Sequence, residues 1–334
     1  MPLPTITAPL FSAPSVRAAR ESGFTLIEMM ISITIGLGIL AGLVGVLATN
    51  SSNSRSNDRT SELMTNGRYA LNSMKQELRQ AGFRGYTWAE PSAAGAVAVT
   101  NECLQTGAGA GAFVGNIRQG IWGANDPNPN PFQDTCIPAA NFLAGNDIVV
   151  VRRVASIPDP ALDTGTVYFH SSYERGQIFQ GVTAPTFGGP PAPLASFAVQ
   201  AYVYYICPFT VAATVSPRVP SLRRVGLRSD GVMADELVAS GIERLQVQYG
   251  LLATNRNTQY LNAGDAPLTG SSFISTLTEW EEVNSVRIWL LARNTVAEPG
   301  YANTTEYPMG EVTFTAPGDG FRRQLFTTVV QLRN

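Results

Sequence analysis

Glu28 is the residue with the most chemistry to explain. It stands five residues into the run Phe24–Ala48 (FTLIEMMISITIGLGILAGLVGVLA), of which Met29–Ala48 is a stretch of 20 apolar or small residues. A carboxylate near a bilayer centre costs on the order of 2.5–3.5 kcal/mol, and less near an interface, so a buried one asks for a partner. A cut between Gly23 and Phe24 would supply one: the new α-amino group would lie one helical turn from Glu28, or could meet the Glu28 of an adjacent subunit. A position at headgroup level would need no partner at all.

Elsewhere the chemistry-bearing residues are sparse. His170 is the single histidine, and Cys103, Cys136 and Cys207 are far apart with no C-x-x-C pair. A structural zinc site needs about four soft or imidazole ligands, so no metal or cofactor is expected. Disulfide use in an oxidising compartment fits better. Of the three pairings, Cys103 with Cys136 is favoured, because both lie in Gly/Pro/Asn-rich sequence where a crosslink replaces missing core, while Cys207 reads as a buried free thiol.

No G-x-S-x-G elbow, Walker loop, dinucleotide fingerprint or H-E-x-x-H motif occurs. A serine triad would have to use His170, which reads instead as a strand-end histidine satisfied by a neighbour. Asp126-x-Asn128-x-Asn130 has the start of a calcium loop, but Pro131 occupies the place of the turn glycine. Glu279, Glu281 and Glu282 read as a solvated turn, and Asn303-Thr304-Thr305 matches a glycosylation acceptor. The expectation is a protein without catalysis.

Composition narrows the class. The 334 residues are 44% hydrophobic and 14% charged, against roughly 25% charged in an ordinary globular protein. With 23 basic and 25 acidic residues and a net charge of −2, no nucleic-acid site is evident. The 31 glycines and 22 prolines favour a loop-rich domain over a helical bundle, so helix must be concentrated in one place.

That place is the N-terminal third. Twenty residues at ~1.5 Å each match the ~30 Å hydrocarbon core of a bilayer. Arg17 and Arg20 upstream are balanced by Arg55 and Arg59 downstream, so charge counting does not orient the segment. A secretory signal cut after Val46-Leu47-Ala48 fits except that its core would exceed the usual ~7–15 residues, and a plain signal anchor fits the length equally well. The small residues Gly36, Gly38, Gly42 and Gly45 permit close helix approach, Gly38 and Gly42 at the G-x-x-x-G spacing. The polar stretch 49–62 is poor in helix formers and predicts a break near Asn50–Asn57. Leu63, Ala70, Leu71, Met74, Leu78 and Ala81 then form one apolar stripe opposite Arg68, Lys75, Gln76 and Arg79, with Gly82 as the stop.

Residues 91–146 are dominated by Ala, Gly, Asn and Pro and read as long surface loops, and 184–195 reads as a connector. Segments 147–154, 166–170, 195–206, 242–252, 284–293 and 322–332 are rich in β-branched and aromatic residues and read as strands. An antiparallel sheet packed on the amphipathic half of the helix follows, which makes the chain α+β.

Ser22-Gly23-Phe24-Thr25-Leu26-Ile27-Glu28, directly ahead of the apolar run, resembles the prepilin motif of type IV pilins and pseudopilins. Three further passages resemble PilW-type minor pilins: Asn66-Gly67-Arg68-Tyr69-Ala70 running to Gly82-Phe83-Arg84-Gly85, then Val247-Gln248-Tyr249-Gly250, and the ending Phe326–Asn334. The resemblance is strong over 23–85, scattered near the C-terminus and weak over 91–240. It implies a leader of residues 1–23, a membrane and polymerisation helix over 24–48, an amphipathic half over 49–84, and a β-rich head over 85–334.

By the same resemblance a prepilin peptidase cuts after Gly23, Phe24 becomes the methylated N-terminus, and Glu28 is the assembly glutamate. The chain would sit in the bacterial inner membrane with its head in the periplasm, then enter a pilus. Its implied partners are other minor pilins, the major pilin and a candidate tip adhesin, in the service of pilus assembly, twitching motility, adhesion and DNA uptake. A type II secretion pseudopilin shares the same N-terminal logic. From another class, an exported β-domain binding protein or enzyme released after Ala48 is the alternative.

Overall fold

The computed structural model describes residues 23–93, 97–105, 107–188, 193–252, 257–269 and 278–333. Residues 1–22 of the expected leader, and 189–192 of the expected connector, lie outside them. The chain divides into two compact units, Met1–Arg55 and Ser56–Asn334, with the division inside a single helix. This helix, α1, runs Leu26–Leu78.

The break expected near Asn50–Asn57 therefore does not occur. Helix formation is costly to nucleate and cheap to propagate, so weak formers flanked by strong helix on both sides are carried through. Hydroxyls join the helix rather than compete with it: Thr49 Oγ1 donates to the Gly45 carbonyl at 3.0 Å and Thr60 Oγ1 to that of Ser56 at 2.9 Å. In the second unit Leu63, Gly67, Ala70, Met74 and Leu78 are buried, the expected stripe with Gly67 added and Leu71 only half-buried. The last turn tightens, and Gly82 leaves it in the left-handed region (φ 80°), its N–H donating to the Arg152 carbonyl at 2.9 Å.

The head begins with three short elements, β1 (Ser92–Ala93), α2 (Ala112–Gly115) and β2 (Ile121–Ala124). Strands β3 (Ile148–Val154), β4 (Val167–Ser171), β5 (Gly176–Gln180), β6 (Ala195–Cys207), β7 (Ser221–Leu227) and β8 (Met233–Ser240) complete an eight-stranded sheet. Its long strand β6 is the seam: residues 195–198 register with β4, 199–204 with β3 and 202–207 with β7. A second, four-stranded antiparallel sheet has the order β10-β9-β11-β14, from β9 (Ile242–Leu252), β10 (Thr258–Leu261), β11 (Val283–Arg293) and β14 (Arg323–Gln331). Between β10 and β11 lies the helical turn α3 (Thr278–Glu281), and β12 (Glu306–Met309) with β13 (Val312–Thr315) forms a separate hairpin. The single sheet expected is thus two, because β7 and β8 extend the first and β9 starts the second.

Where described, residues 91–146 are largely irregular, but they are not all surface. Phe113, Val114, Ile117, Phe132 and Ile137 have no exposed area, and Phe113 and Trp122 each meet Phe132 edge to face. Single apolar residues set between glycines and prolines supply core without any period that a sequence would display.

The two sheets are joined at Asn146-Asp147. The Asp147 N–H donates to the Leu245 carbonyl at 3.1 Å, while Asn146 Oδ1 accepts from the Leu245 N–H at 2.8 Å and Asp147 Oδ2 from the Val247 N–H at 2.7 Å. Asp147 Oδ1 also accepts from the Asp126 N–H at 3.0 Å. Burial pushes the Asp147 carboxyl up from 3.8 to about 7, against the opposing pull of those two N–H donors. In the unfolded chain it returns to ~3.9, so the folded state holds its proton more tightly. The group's contribution to stability is complete below about pH 4 and is lost as pH rises through about 7. Thermal unfolding of the full chain in detergent should therefore show a midpoint that falls between about pH 5 and pH 8, with Asp147→Asn flattening that slope. An identical slope in the variant would contradict this assignment.

Candidate assembly site

Gly23, Phe24 and Thr25 precede the first helical residue, Leu26, so the Gly23–Phe24 peptide bond lies in exposed, non-helical backbone. Thr25 is the N-cap and Glu28 the third helical residue. Thr25 Oγ1 accepts from the Glu28 N–H at 3.3 Å, and Glu28 Oε2 accepts from the Thr25 N–H at 3.4 Å and from its hydroxyl at 3.3 Å. This is a capping box, in which side chains and backbone donors satisfy one another at a helix start. A carboxylate here also faces the positive end of the helix dipole. The T-x-x-E spacing of this box is present in the sequence, whereas the readings of Glu28 as an intramembrane charge needing a cation or as a headgroup-level residue leave the cap out.

Past this start, every residue from Leu26 to Asn50 is exposed, including Leu26 at 79% and Ile39 at 68%. Among the described residues nothing lies within 4 Å of a Cβ placed on Gly36, Gly38, Gly42 or Gly45. Among the described residues α1 is the one helix long and apolar enough to cross a membrane.

Two of the passages that resemble PilW-type proteins meet inside the head, at Gly67 and Phe326, and the third is buried there. Asn66 Nδ2 donates to Ser240 Oγ at 3.2 Å, and a Cβ on Gly67 would stand 2.2 Å from Phe326 Cε2, so only glycine lets α1 lie against the Phe326 ring. Tyr249 is fully buried, edge to face with Trp280 at 4.9 Å and pressed on Gly123. Phe83 meets Phe197 edge to face at 6.4 Å.

The remaining candidates are scattered. Cys103 and Cys136 are joined by a disulfide and Cys207 is a buried free thiol in β6. His170 Nδ1 shares a 2.8 Å hydrogen bond with Ser196 Oγ, its ring lies against Phe179 and Phe187, and burial lowers its pKa. Asn130 organises a turn, accepting from the Phe132 N–H at 2.9 Å and donating to the Ile137 carbonyl at 3.2 Å. Asn303 is 1% exposed and donates to Tyr307 and to the Phe321 carbonyl, which closes it to glycosylation. The acidic cluster is not simply solvated: Trp280 between Glu279 and Glu281 is buried, and Glu281 pairs with Arg118. Among the described residues no group of three or more His, Cys, Asp or Glu is placed to hold a metal ion.

Residues 203–334 match the family model for the type IV pilus-assembly protein W (PilW), and residues 18–44 match the prokaryotic N-terminal methylation motif. No curated relative matches the sequence. A solved structure, a type IV-like pilin from Thermus thermophilus, aligns with 15% identity and a TM-score of 0.33, over 83% of this chain and 95% of that one. A likeness at that level does not by itself define a fold. The two sequence matches and the long apolar helix ahead of an antiparallel β head make the chain a type IV pilin-like protein. Its C-terminal region, residues 203–334, is of the PilW type, beginning inside β6 and taking in the Val247–Gly250 and Phe326–Asn334 passages but not the one at Asn66–Gly85.

Thr25→Ala removes the cap, at a cost of ~1 kcal/mol, so amide exchange at Glu28 in detergent micelles should quicken about five-fold while Thr25→Ser leaves it unchanged. Equal exchange in the alanine variant and the wild type would show that the box contributes nothing.

Proposed function

We propose that this protein is a minor type IV pilin: an inner-membrane precursor cut after Gly23, methylated on Phe24, and built at low abundance into a pilus or its initiating tip complex. The observation that carries this reading is a methylation-motif match lying over an apolar helix that its own chain leaves uncovered, followed by a PilW-type head. The helix is first a membrane tether and then a polymerisation surface, its exit from lipid compensated by burial against the same helix of other subunits. Small residues on that helix allow close approach. Glu28, released from its own cap, meets the terminal ammonium of Phe24 across the subunit contact and sets the axial register.

In this reading the head faces the periplasm, and its partners are other minor pilins, the major pilin and a tip adhesin. It does no catalysis. Pilus assembly, twitching motility and adhesion are the processes served.

Glu28→Ala should leave membrane insertion intact and reduce surface pili, counted by electron microscopy or shearing, by about tenfold or more, since a lost buried charge pair is worth several kcal/mol. Normal piliation with the variant as the sole copy would refute the register role.

A further inference from the structure

A cleft of about 210 Å³ opens where the end of α1 meets the loop before β2 and the turn α3, lined by Arg84, Trp88, Arg118, Trp280, Glu281 and Leu332 among others. Its charges are unevenly matched. Arg118 is paired on both sides, with Glu90 at 2.8 Å and with Glu281. Arg84 has no ion pair among the described residues, and its buried Nε has no hydrogen-bond acceptor. Burial lowers the Arg84 pKa, Glu281 raises it and Arg118 lowers it further, the signature of a cation held out of water without full compensation.

A second, independent orphan stands in the same wall. Trp280 is 1% exposed, and its indole Nε1–H has no acceptor among the described residues. Buried donors of this kind are normally satisfied, and one left over is costly. Trp88, by contrast, offers its ring at the surface with 71% of its area exposed. Arg84, Trp280 and the exposed Trp88 therefore line one small cleft.

We propose that this cleft is a docking pocket for the carboxylate of an Asp or Glu side chain from a neighbouring subunit's head, held by Arg84 and the Trp280 indole, with its methylenes against Trp88. The inference rests on the reading of the chain as an assembling subunit. Charge selects the ligand. Arg118 is already matched by Glu281 and by Glu90 outside the lining, which leaves Arg84 as the one cation of the cleft without an ion pair among the described residues, and a single such charge matches a monovalent carboxylate and undercompensates a phosphate dianion. The planar carboxylate also fits the arginine fork, and pairing in a desolvated pocket strengthens the contact. Arg84 belongs to the Gly82-Phe83-Arg84-Gly85 passage, to which the assembly helix gives no role.

The test uses the full chain in detergent micelles with ¹⁵N-labelled tryptophan indoles, the Trp280 signal being identified by its loss in Trp280→Phe. The probes are glutamate blocked as N-acetyl α-amide, the equally blocked glutamine, and sodium phosphate. Blocked glutamate should move the Trp280 indole signal, with glutamine at least about tenfold weaker, the factor that corresponds to ~1.4 kcal/mol for a charge-assisted bond. Arg84→Gln should abolish the response while leaving the unfolding temperature unchanged or higher, and Arg84→Lys should keep part of it. No glutamate response, equal binding of glutamine, tighter binding of phosphate, a response surviving in Arg84→Gln, or a lower unfolding temperature in that variant would each overturn the pocket. Small-molecule binding does not require pili, so failure here is distinct from failure of Glu28→Ala to alter piliation.

Discussion

Apolar surface that the described residues leave uncovered is the constraint on which everything else rests. Large side chains from Phe24 to Leu47 remain more than half exposed along α1. Covering each is worth about 1.5–3 kcal/mol, so the run as a whole carries tens of kcal/mol, well beyond the ~5–15 kcal/mol that holds a domain folded. Such a helix is not viable bare in water. It needs lipid or other helices, and a protein that passes from one cover to the other can be a membrane precursor and a filament subunit in turn. Glu28 is the polar exception in that surface, satisfied within its own helix start by Thr25 and available to a second partner once a new terminus exists.

The head solves a different problem, which is to anchor the helix from Ser56 onward in a structure rigid enough to present specific surfaces. Ser56 donates to Glu298 at 3.2 Å, and Glu298 in turn accepts from Arg322 at 2.8 Å and Asn294 at 3.1 Å. Glu77 on α1 pairs with Arg153 of β3 at 2.7 Å. Gly67 lets the helix lie against Phe326 of β14, and Asn146-Asp147 ties β3 to β9. Helix and both sheets of this unit are thereby one core, and the PilW-type region contributes the whole of the second sheet.

What could be read from the sequence followed the length and purity of each signal. The long strands β6, β9, β11 and β14 were legible within a few residues because their β-branched and aromatic content runs for 9 to 13 positions. β7 and β8 were not, because SLRRVGL and MADELVAS are made strand-like by each other, through the cross-strand pairs Arg223–Asp235 and Arg224–Glu236, and charges of that kind resemble a loop until the partner is known. The polar 49–62 stretch misled because propensity is local and helix propagation is not. The prepilin-like N-terminus was legible as a motif, since its chemistry is contiguous, and residues 18–44 match the N-terminal methylation motif. The cleft around Arg84 was invisible, because its walls come from residues 81–88, 118–121, 280–281 and 332 and meet only in three dimensions.

Mass spectrometry of the N-terminus of protein recovered from cell membranes bears most directly on the central claim, that the uncovered helix stays with the mature chain. A mature terminus at Phe24 carrying one methyl group is the predicted result. A terminus at Thr49, with the apolar helix removed, would contradict the account.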